Sequence, residues 1–322
     1  MPAPPTWNET WAFDGESVFT QREHNIVAAY LVTAGIISIV SNVVVMGMFA
    51  RFRVLRTHTN YIIMNLAVTD IGVSSVGYPL SAASDLHGSW RFGWTGCQVY
   101  AALNIFFGMA SIGLLTVVAV DRYLVVCSKN PGTLTTAPYT NLMALAWVNA
   151  AFWAGAPLLG WAGYAPDPTG ATCTVNWRRN DTSFVSYTMA VIAVNFVLPL
   201  GVTSWCYRKV ILALRHGQRT SSLDWADQSA VTKMSLAMIG AFVTAWSPYA
   251  VVCLWASFGE PRDIPPAVAI IAPLFAKSST FYNPLIYVAT NRRFRKAMAS
   301  LLRCQNYQEF TLQEATGVKT VS

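Results

Sequence analysis

The apolar segment APLFAKSSTFYNPLIY, residues 272–287, has a single lysine, Lys277, near its middle and no acidic residue to balance that charge. Ionisable side chains are costly at membrane depth and mark functional sites there. A buried lysine amine can also act as a neutral nucleophile, which condenses with an aldehyde to form a Schiff base. Two interpretations follow for Lys277: pairing with an acid from another helix, or covalent attachment of an aldehyde.

Other polar residues and prolines interrupt the apolar segments. They are Asp70 in NLAVTD, Asp121-Arg122-Tyr123 in VDRYL, Trp246 and Pro248 in AWSPY, and Asn283, Pro284 and Tyr287 in NPLIY. Prolines inside spanning helices free carbonyl groups, which neighbouring polar groups or waters satisfy. Asn42, Asp70 and Asn283 suit such a network, so we interpret Asp70 as a structural and switching residue rather than a ligand contact.

The composition identifies the elements that must position these residues. Hydrophobic residues make up 54% of the 322 residues and charged residues only 11%, which excludes an ordinary soluble domain. Seven apolar runs are long enough to cross a bilayer, at roughly 20 residues each. They cover about 26–50, 61–84, 98–120, 138–161, 185–207, 231–256 and 266–289. Their short connections predict one all-α membrane domain, a seven-transmembrane helix bundle.

The distribution of lysine and arginine predicts the orientation of this bundle. These residues concentrate on the side of the carboxyl-terminal tail, which places that tail in the cytoplasm and the amino terminus outside. The net charge of +7 then reflects a cytoplasmic face beside anionic membrane lipid, not a nucleic-acid site. We predict an extracellular segment 1–25 without a cleaved signal peptide, a bundle 26–290, a short amphipathic interfacial helix 291–304 and a cytoplasmic tail 305–322 of a multi-pass plasma-membrane protein.

Modification sites follow from this topology. Sequons at Asn8 and Asn180 both fall on the outer side and predict glycosylation, although Asn180 lies close to the fifth run. Cys97 and Cys173 are also external, where disulfides persist, and we expect them to be joined. Cys304 follows the amphipathic helix, so it is either a palmitoylation site or a free thiol. The four histidines show no zinc-type spacing, and we predict no metal site.

Taken together, the motifs carry a resemblance to a known family. Cys97, Asp121-Arg122-Tyr123, Trp147, Pro199, Trp246 with Pro248 and the NPLIY motif, in this order on seven spans, resemble the rhodopsin-like (class A) G-protein-coupled receptors across nearly the whole chain. The lysine seven residues before Pro284 narrows the resemblance to the opsins. Membership would make a heterotrimeric G protein and retinoids the expected partners.

The opsin resemblance implies that Lys277 binds retinal, all-trans or 11-cis, as a covalent protonated Schiff base. Lys277 lies roughly 15 Å along the helix from Tyr287, deep enough to hold a polyene within the bundle. The resemblance also implies a set of further residues that line the retinal pocket. They are Gly108, Phe196, Phe242, Trp246 and Tyr249.

A protonated Schiff base is a buried cation and needs a counterion. Vertebrate visual pigments supply a glutamate three residues after the third-span cysteine, but here Tyr100 stands at that position. Asp167 lies six residues before Cys173, where many opsins carry a loop carboxylate that serves as counterion. We therefore predict Asp167 as the counterion and Tyr100 as its hydrogen-bonding neighbour, with Asp85 as the next candidate.

Three hypotheses remain for function. Residues 75–90, 160–173 and 254–284 most resemble a group of opsins of the retinal pigment epithelium, which is placed with retinochrome-type photoisomerases and binds all-trans-retinal for conversion to 11-cis. A light- or retinoid-sensing receptor is favoured by Asp121-Arg122-Tyr123 and NPLIY. A non-signalling photoisomerase is favoured by Gln228, which replaces the glutamate of rod pigments, and by NRR at 291–293, although Asp227 is adjacent to Gln228. Lys277 disfavours a chemoreceptor for a diffusible ligand.

Overall fold

The computed structural model describes residues 19–52, 55–127, 137–167, 169–178, 180–215 and 225–303. Within them, the α-helices are α1 Gln21–Arg51, α2 His58–His87, α3 Gly93–Cys127, α4 Ala137–Gly155, α5 Thr182–Ile192, α6 Leu198–Arg215, α7 Trp225–Phe258, α8 Pro266–Thr290 and α9 Arg292–Leu302. A π-helical turn, Ala193–Val197, joins α5 and α6 into the fifth span, so α7 and α8 are the sixth and seventh spans. An antiparallel hairpin of β1 Tyr164–Pro166 and β2 Cys173–Val175 lies between α4 and α5.

Short polar residues set where several helices begin and end. The Thr20 side chain accepts a hydrogen bond from the Glu23 backbone, and the Glu23 carboxylate accepts one from the Thr20 backbone, which makes a capping box at the start of α1. The Asp181 side chain caps α5 by accepting a hydrogen bond from the Phe184 backbone. Gly88 ends α2 with a φ of 79°, a left-handed conformation that favours glycine.

The seven spans pack into one bundle, which confirms the predicted fold. Five helical stretches of the described chain are long and apolar enough to cross a membrane by length and composition alone: Gln21–Arg51, Gly93–Cys127, Ala137–Leu159, Thr182–Arg215 and Gln228–Phe258. The other two spans, α2 and α8, contain many buried polar residues. The helices of the first, second, third, fifth and sixth spans extend past their predicted apolar runs at both ends, because hydropathy marks the hydrocarbon layer whereas helices continue into the polar interface. The α4 helix instead ends at Gly155, before its predicted run ends at 161.

The ends of the bundle have separate hydrophobic cores. One core surrounds Cys97, Cys173 and Trp177 beneath the hairpin, and we call this end the disulfide end. The other core surrounds Leu114 and Met238 near Arg122, and we call this end the arginine end. The chemistry of the molecule divides between these two ends.

The short helix α9 follows α8 at the arginine end, inside the range predicted for the interfacial helix. Phe294 is buried rather than facing lipid, with its ring 5.6 Å from Phe49 and 5.2 Å from Tyr287. Arg295 donates to the carbonyl oxygens of Val288 and Ala289, both at 2.9 Å, and so satisfies the carboxyl end of α8. The first sequon, Asn8, and the lipidation candidate Cys304 lie outside the described residues.

Candidate functional site

Hydroxyl groups hold the amine of Lys277. Its Nζ donates to the Tyr100 hydroxyl at 2.7 Å and to Ser81 Oγ at 3.0 Å, and lies 5.4 Å from the centre of the Tyr100 ring. The Tyr78 hydroxyl donates to the Lys277 carbonyl oxygen at 2.8 Å, which fixes this turn of α8 against α2. The amine therefore sits at the junction of α2, α3 and α8.

Lys277 lines a cavity between the helices, here called the lysine cavity. Most of the predicted pocket residues line it as well: Tyr100, Gly108, Asp167, Phe242, Trp246 and Tyr249. A Cβ atom at Gly108 would lie 2.7 Å from Cη2 of Trp246, so only glycine lets the indole occupy this position. The Trp246 ring stacks on Phe242 at 5.5 Å and meets Tyr249 edge-on at 6.3 Å, which gives the cavity a rigid aromatic wall.

Phe196 does not line the lysine cavity. It lines a second cavity, between α3, the fifth span and α7. The two cavities share five lining residues, Ile105, Gly108, Phe242, Trp246 and Tyr249. The predicted pocket is therefore two adjacent chambers that meet at the Gly108–Trp246 contact.

The β1–β2 hairpin covers the lysine cavity at the disulfide end. A disulfide joins Cys97 at the start of α3 to Cys173 in β2, with the Cα atoms 5.5 Å apart, as the sequence predicts. Gln98 donates to the Tyr164 carbonyl oxygen at 3.1 Å, and the hydroxyls of Thr174 and Tyr249 lie 2.7 Å apart. The hairpin is thus tied to α3 and α7, and both strands are fixed over the cavity.

Asp167 lies in this hairpin and is 4% exposed. Its Oδ1 accepts hydrogen bonds from Thr169 Oγ1 at 2.6 Å, from the Thr169 backbone at 3.2 Å and from the Thr172 backbone at 3.4 Å. Burial raises the pKa of Asp167 to about 6, while those hydrogen bonds and the charge of Lys277 oppose the rise. The buried carboxylate is thus stabilised by donors of its own hairpin.

Asp167 and Lys277 do not form a direct ion pair. The carboxylates of Asp85 and Asp121 instead pair with His24 and Arg122. The Tyr100 hydroxyl, which contacts the amine, lies 2.8 Å from Thr172 Oγ1, and the Thr172 backbone donates to Asp167. The predicted neighbour Tyr100 and the unpredicted Thr172 therefore connect the amine to the carboxylate.

A second buried carboxylate, Asp85, lies at the same end of α2. Its Oδ1 is 2.8 Å from Nδ1 of His24, and the two residues are 4% and 1% exposed. Sequence reasoning treated His24 as one of four scattered histidines, because its partner is 61 residues away and no local pattern links the two. The counterion candidate Asp85 thus already has a partner in α1.

Below the lysine cavity, polar side chains link α1, α2, α7 and α8. Asn283 donates to Asp70 Oδ2 at 3.0 Å, and Asn42 donates to the Thr280 carbonyl oxygen at 2.9 Å. Trp246 donates from Nε1 to Ser279 Oγ at 3.2 Å. Asp70 belongs to this network, as predicted, but it also lines the lysine cavity. Its position therefore allows contact with a ligand in addition to its predicted structural role.

At the arginine end, Arg122 bridges three elements. It pairs with Asp121 Oδ2, donates to Thr59 Oγ1 on α2, and donates to Gln228 Oε1 on α7 at 3.1 Å. Gln228 therefore contacts the arginine even though it lacks a charge, while the side chain of Asp227 lies outside the described residues. The Tyr123 ring packs against Trp205 of α6, 4.8 Å between centres.

The predicted glycosylation site Asn180 lies just before α5. Its φ is 42°, and its Nδ2 donates to the Gly259 carbonyl oxygen at 3.2 Å. The amide nitrogen that would carry a glycan is thus engaged with the α7 end. Glycosylation at Asn180 stays a prediction.

Comparisons with known proteins are consistent with this architecture. Residues 41–287 match the family model described as 7 transmembrane receptor (rhodopsin family). The chain is 65% identical over 298 residues to the visual pigment-like receptor peropsin of Homo sapiens, covering 91% of this chain and 88% of that protein. It is 32% identical over 314 residues to Opsin-5 of Mus musculus, covering 93% and 83%. The crystal structure of squid rhodopsin matches with a TM-score of 0.82 and 25% identity over 94% of this chain and 93% of that one.

Proposed function

Because this chain belongs to the rhodopsin family of seven-transmembrane receptors, and within it to the opsins, we propose that it is a light- and retinoid-sensing G-protein-coupled receptor with retinal bound at Lys277. One observation carries the proposal: a lysine amine lines a cavity whose remaining wall is largely aromatic and apolar. Apolar cavities with a few placed polar groups are typical ligand sites. The Lys277 amine adds a nucleophile that can condense with an aldehyde.

The residues of the cavity fit a covalently held polyene. Retinal would supply light absorption and isomerisation from all-trans to 11-cis. Lys277 supplies the nitrogen that replaces the aldehyde oxygen, which leaves as water. Ser81 and Tyr100 orient that nitrogen, and Gly108 and Trp246 lie where the two cavities adjoin.

Asp167 is the counterion in this proposal. A protonated nitrogen at Lys277 favours the carboxylate form of Asp167, because opposite charges stabilise each other in a buried site. The Tyr100 hydroxyl contacts both the amine and the Thr172 hydroxyl, and the Thr172 backbone N–H donates to Asp167, so these two residues connect the two groups. Asp85 is the alternative, and its bond to His24 makes it the weaker one.

The proposal includes a route from the cavity to the arginine end. Trp246 lines both cavities and donates to Ser279, while Asn283 of the same helix donates to Asp70. Isomerisation against Trp246 would shift α7, and movement of α7 would separate Gln228 from Arg122. Arg122 would then be free for a G protein, whose class we leave open. We place the disulfide end outside the cell and the arginine end in the cytoplasm of the retinal pigment epithelium.

The experiment that tests this function is regeneration of the purified protein with all-trans- and 11-cis-retinal separately. A visible absorption band and a borohydride-stable adduct on the Lys277 peptide are expected. Chromatography of the retinal extracted before and after light should show conversion of all-trans to 11-cis. No adduct with either isomer would contradict the proposal.

A non-signalling retinal photoisomerase is the second candidate. The observation in its favour is that Gln228 offers Arg122 a neutral acceptor where rod pigments have a glutamate. GTP exchange by protein loaded with each isomer, compared with Arg122→Ala across several G-protein classes, separates the candidates. Photoconversion without exchange above the Arg122→Ala level would favour the photoisomerase.

A further inference from the structure

Three side chains form a hydrogen-bonded chain between α4 and the π-helical turn. Nε1 of Trp153 donates to Asn149 Oδ1 at 3.0 Å, and Nδ2 of Asn149 donates to Asn195 Oδ1 at 2.6 Å. Asn195 is 4% exposed, and its Nδ2 has no hydrogen-bond partner among the described residues. Buried polar groups are almost always paired, so this amide calls for an acceptor.

The direction of the chain follows from the indole. An indole N–H can only donate, so Asn149 must turn its oxygen to Trp153 and its NH₂ group to Asn195. Asn195 must then present its oxygen to Asn149. A flip of either amide would bring two donors together. The remaining unpaired group of Asn195 is therefore its Nδ2 donor, and the partner that it lacks is a hydrogen-bond acceptor.

Asn195 lines the second cavity, beside Phe196 in the π-helical turn. Such turns frequently occur at functional sites. The wall around Asn195 is mainly apolar, with Met109, Val191 and Ile192 among its residues. Asn195 therefore lines a largely apolar chamber and has an unpaired buried donor, and such an unpaired polar group is costly.

We infer that Asn195 is a specificity-determining residue that recognises a hydrogen-bond-accepting oxygen on the ring of a retinoid. This inference rests on the proposed attachment at Lys277. The amine lines the lysine cavity, and the second cavity adjoins it at Gly108 and Trp246. A retinoid joined at its aldehyde end in the first cavity has its ring at the opposite end, in the second. A keto or hydroxyl oxygen on that ring would accept a hydrogen bond from Nδ2 of Asn195, whereas a hydrocarbon ring leaves this donor unpaired.

A competition experiment tests this specificity. The retinal-free protein is offered equal amounts of all-trans-retinal and all-trans-4-oxoretinal, reduced with borohydride, and the two adducts on the Lys277 peptide are quantified by mass spectrometry. The ketone accepts a hydrogen bond and cannot donate one, so it probes the inferred donor alone. One hydrogen bond to an otherwise unpaired amide predicts a preference for the oxo form of roughly three- to tenfold.

Two variants and one control sharpen the result. Asn195→Leu keeps the volume and removes the donor, so the adduct ratio should fall to about one. Asn195→Asp keeps the hydrogen bond from Asn149 and replaces the donor with an acceptor, so it should also lose the preference for the oxo form. This variant serves as the test if Asn195→Leu does not fold. Thr188→Val alters another buried polar residue of the same cavity and should keep the preference.

The outcomes separate this inference from the proposed function. Equal adducts in the parent protein, or a preference that survives in both Asn195 variants, would overturn the role of Asn195 while attachment at Lys277 stands. No adduct on Lys277 with either aldehyde would instead overturn the proposed function, on which the inference rests.

Discussion

The molecule holds two cations, the buried Arg122 and the half-buried Lys277, in opposite ways. At the arginine end, Arg122 pairs directly with the carboxylate of Asp121. At the disulfide end, the Lys277 amine donates to the neutral hydroxyls of Ser81 and Tyr100, and its proposed counterion Asp167 is reached through Tyr100 and Thr172. A guanidinium stays charged in proteins, whereas a lysine amine can lose its proton and act as a nucleophile. The contrast matches a switch at one end and covalent chemistry at the other.

The largest expected effect is at Lys277. Lys277→Ala removes the lysine amine that lines the lysine cavity, so the protein should form no visible pigment with any retinal isomer. Absorption spectra after regeneration and borohydride labelling measure this. Lys233→Ala, which removes an exposed lysine of α7, is the matched control and should leave the pigment unchanged. Label recovered on any lysine other than Lys277 would end the proposal.

The next largest effect concerns Asp167, the carboxylate that does not contact Lys277 directly. Asp167→Asn removes a buried negative charge that stabilises the protonated nitrogen, so the pKa of the Schiff base should fall. The pigment should absorb in the ultraviolet at neutral pH and recover its visible band on acidification or with added chloride. A spectrum that does not change with pH would move the counterion to Asp85, where Asp85→Asn should then produce the shift.

Asp167→Asn weakens the proposed counterion of the pigment, but it should increase the stability of the retinal-free protein. Burial raises the pKa of Asp167 from 3.8 to about 6. The folded state therefore holds a proton that the unfolded chain has released, so the stability from this group is present below the unfolded pKa and is lost as pH rises through about 6. The cost at neutral pH is about 3 kcal/mol.

Asp167→Asn should thus raise the melting temperature of the retinal-free protein at neutral pH, and the gain should shrink as the pH falls toward 4. Thermal unfolding in detergent across this range measures it. Asp263→Asn, at an exposed acid of the same end, is the control and should show no such pH dependence. A gain of equal size at every pH would mean that Asp167 does not titrate in the folded protein.

The smallest effect belongs to the arginine end. Gln228→Glu replaces a neutral acceptor of Arg122 with a charged one, and charge-assisted hydrogen bonds are roughly twice as strong. GTP exchange in darkness should fall by roughly three- to tenfold, because the contact between α3 and α7 is stabilised. Gln228→Leu removes the acceptor and should raise GTP exchange in darkness. If both variants match the parent, the Gln228 contact does not hold the inactive state.

Local sequence features were sufficient for much of this protein. Hydropathy located the seven spans, because each must present an apolar length to the bilayer. The same reasoning singled out Lys277, since a charge inside an apolar run is visible in the run itself. Cys97 and Cys173 were also paired from the predicted topology, and the structure joins them. Helix ends were less predictable, because caps such as Thr20 depend on a few side chains rather than on hydropathy.

Only the tertiary structure decided how the distant residues meet. Thr172 between Tyr100 and Asp167, Gln228 against Arg122, and Phe196 in a chamber apart from Lys277 all depend on the relative placement of separate helices and the hairpin. These contacts join residues far apart in the chain, and no periodicity or spacing encodes them. Packing of whole helices sets such distances, so the sequence determined which chemical groups are present and the fold determined which of them touch.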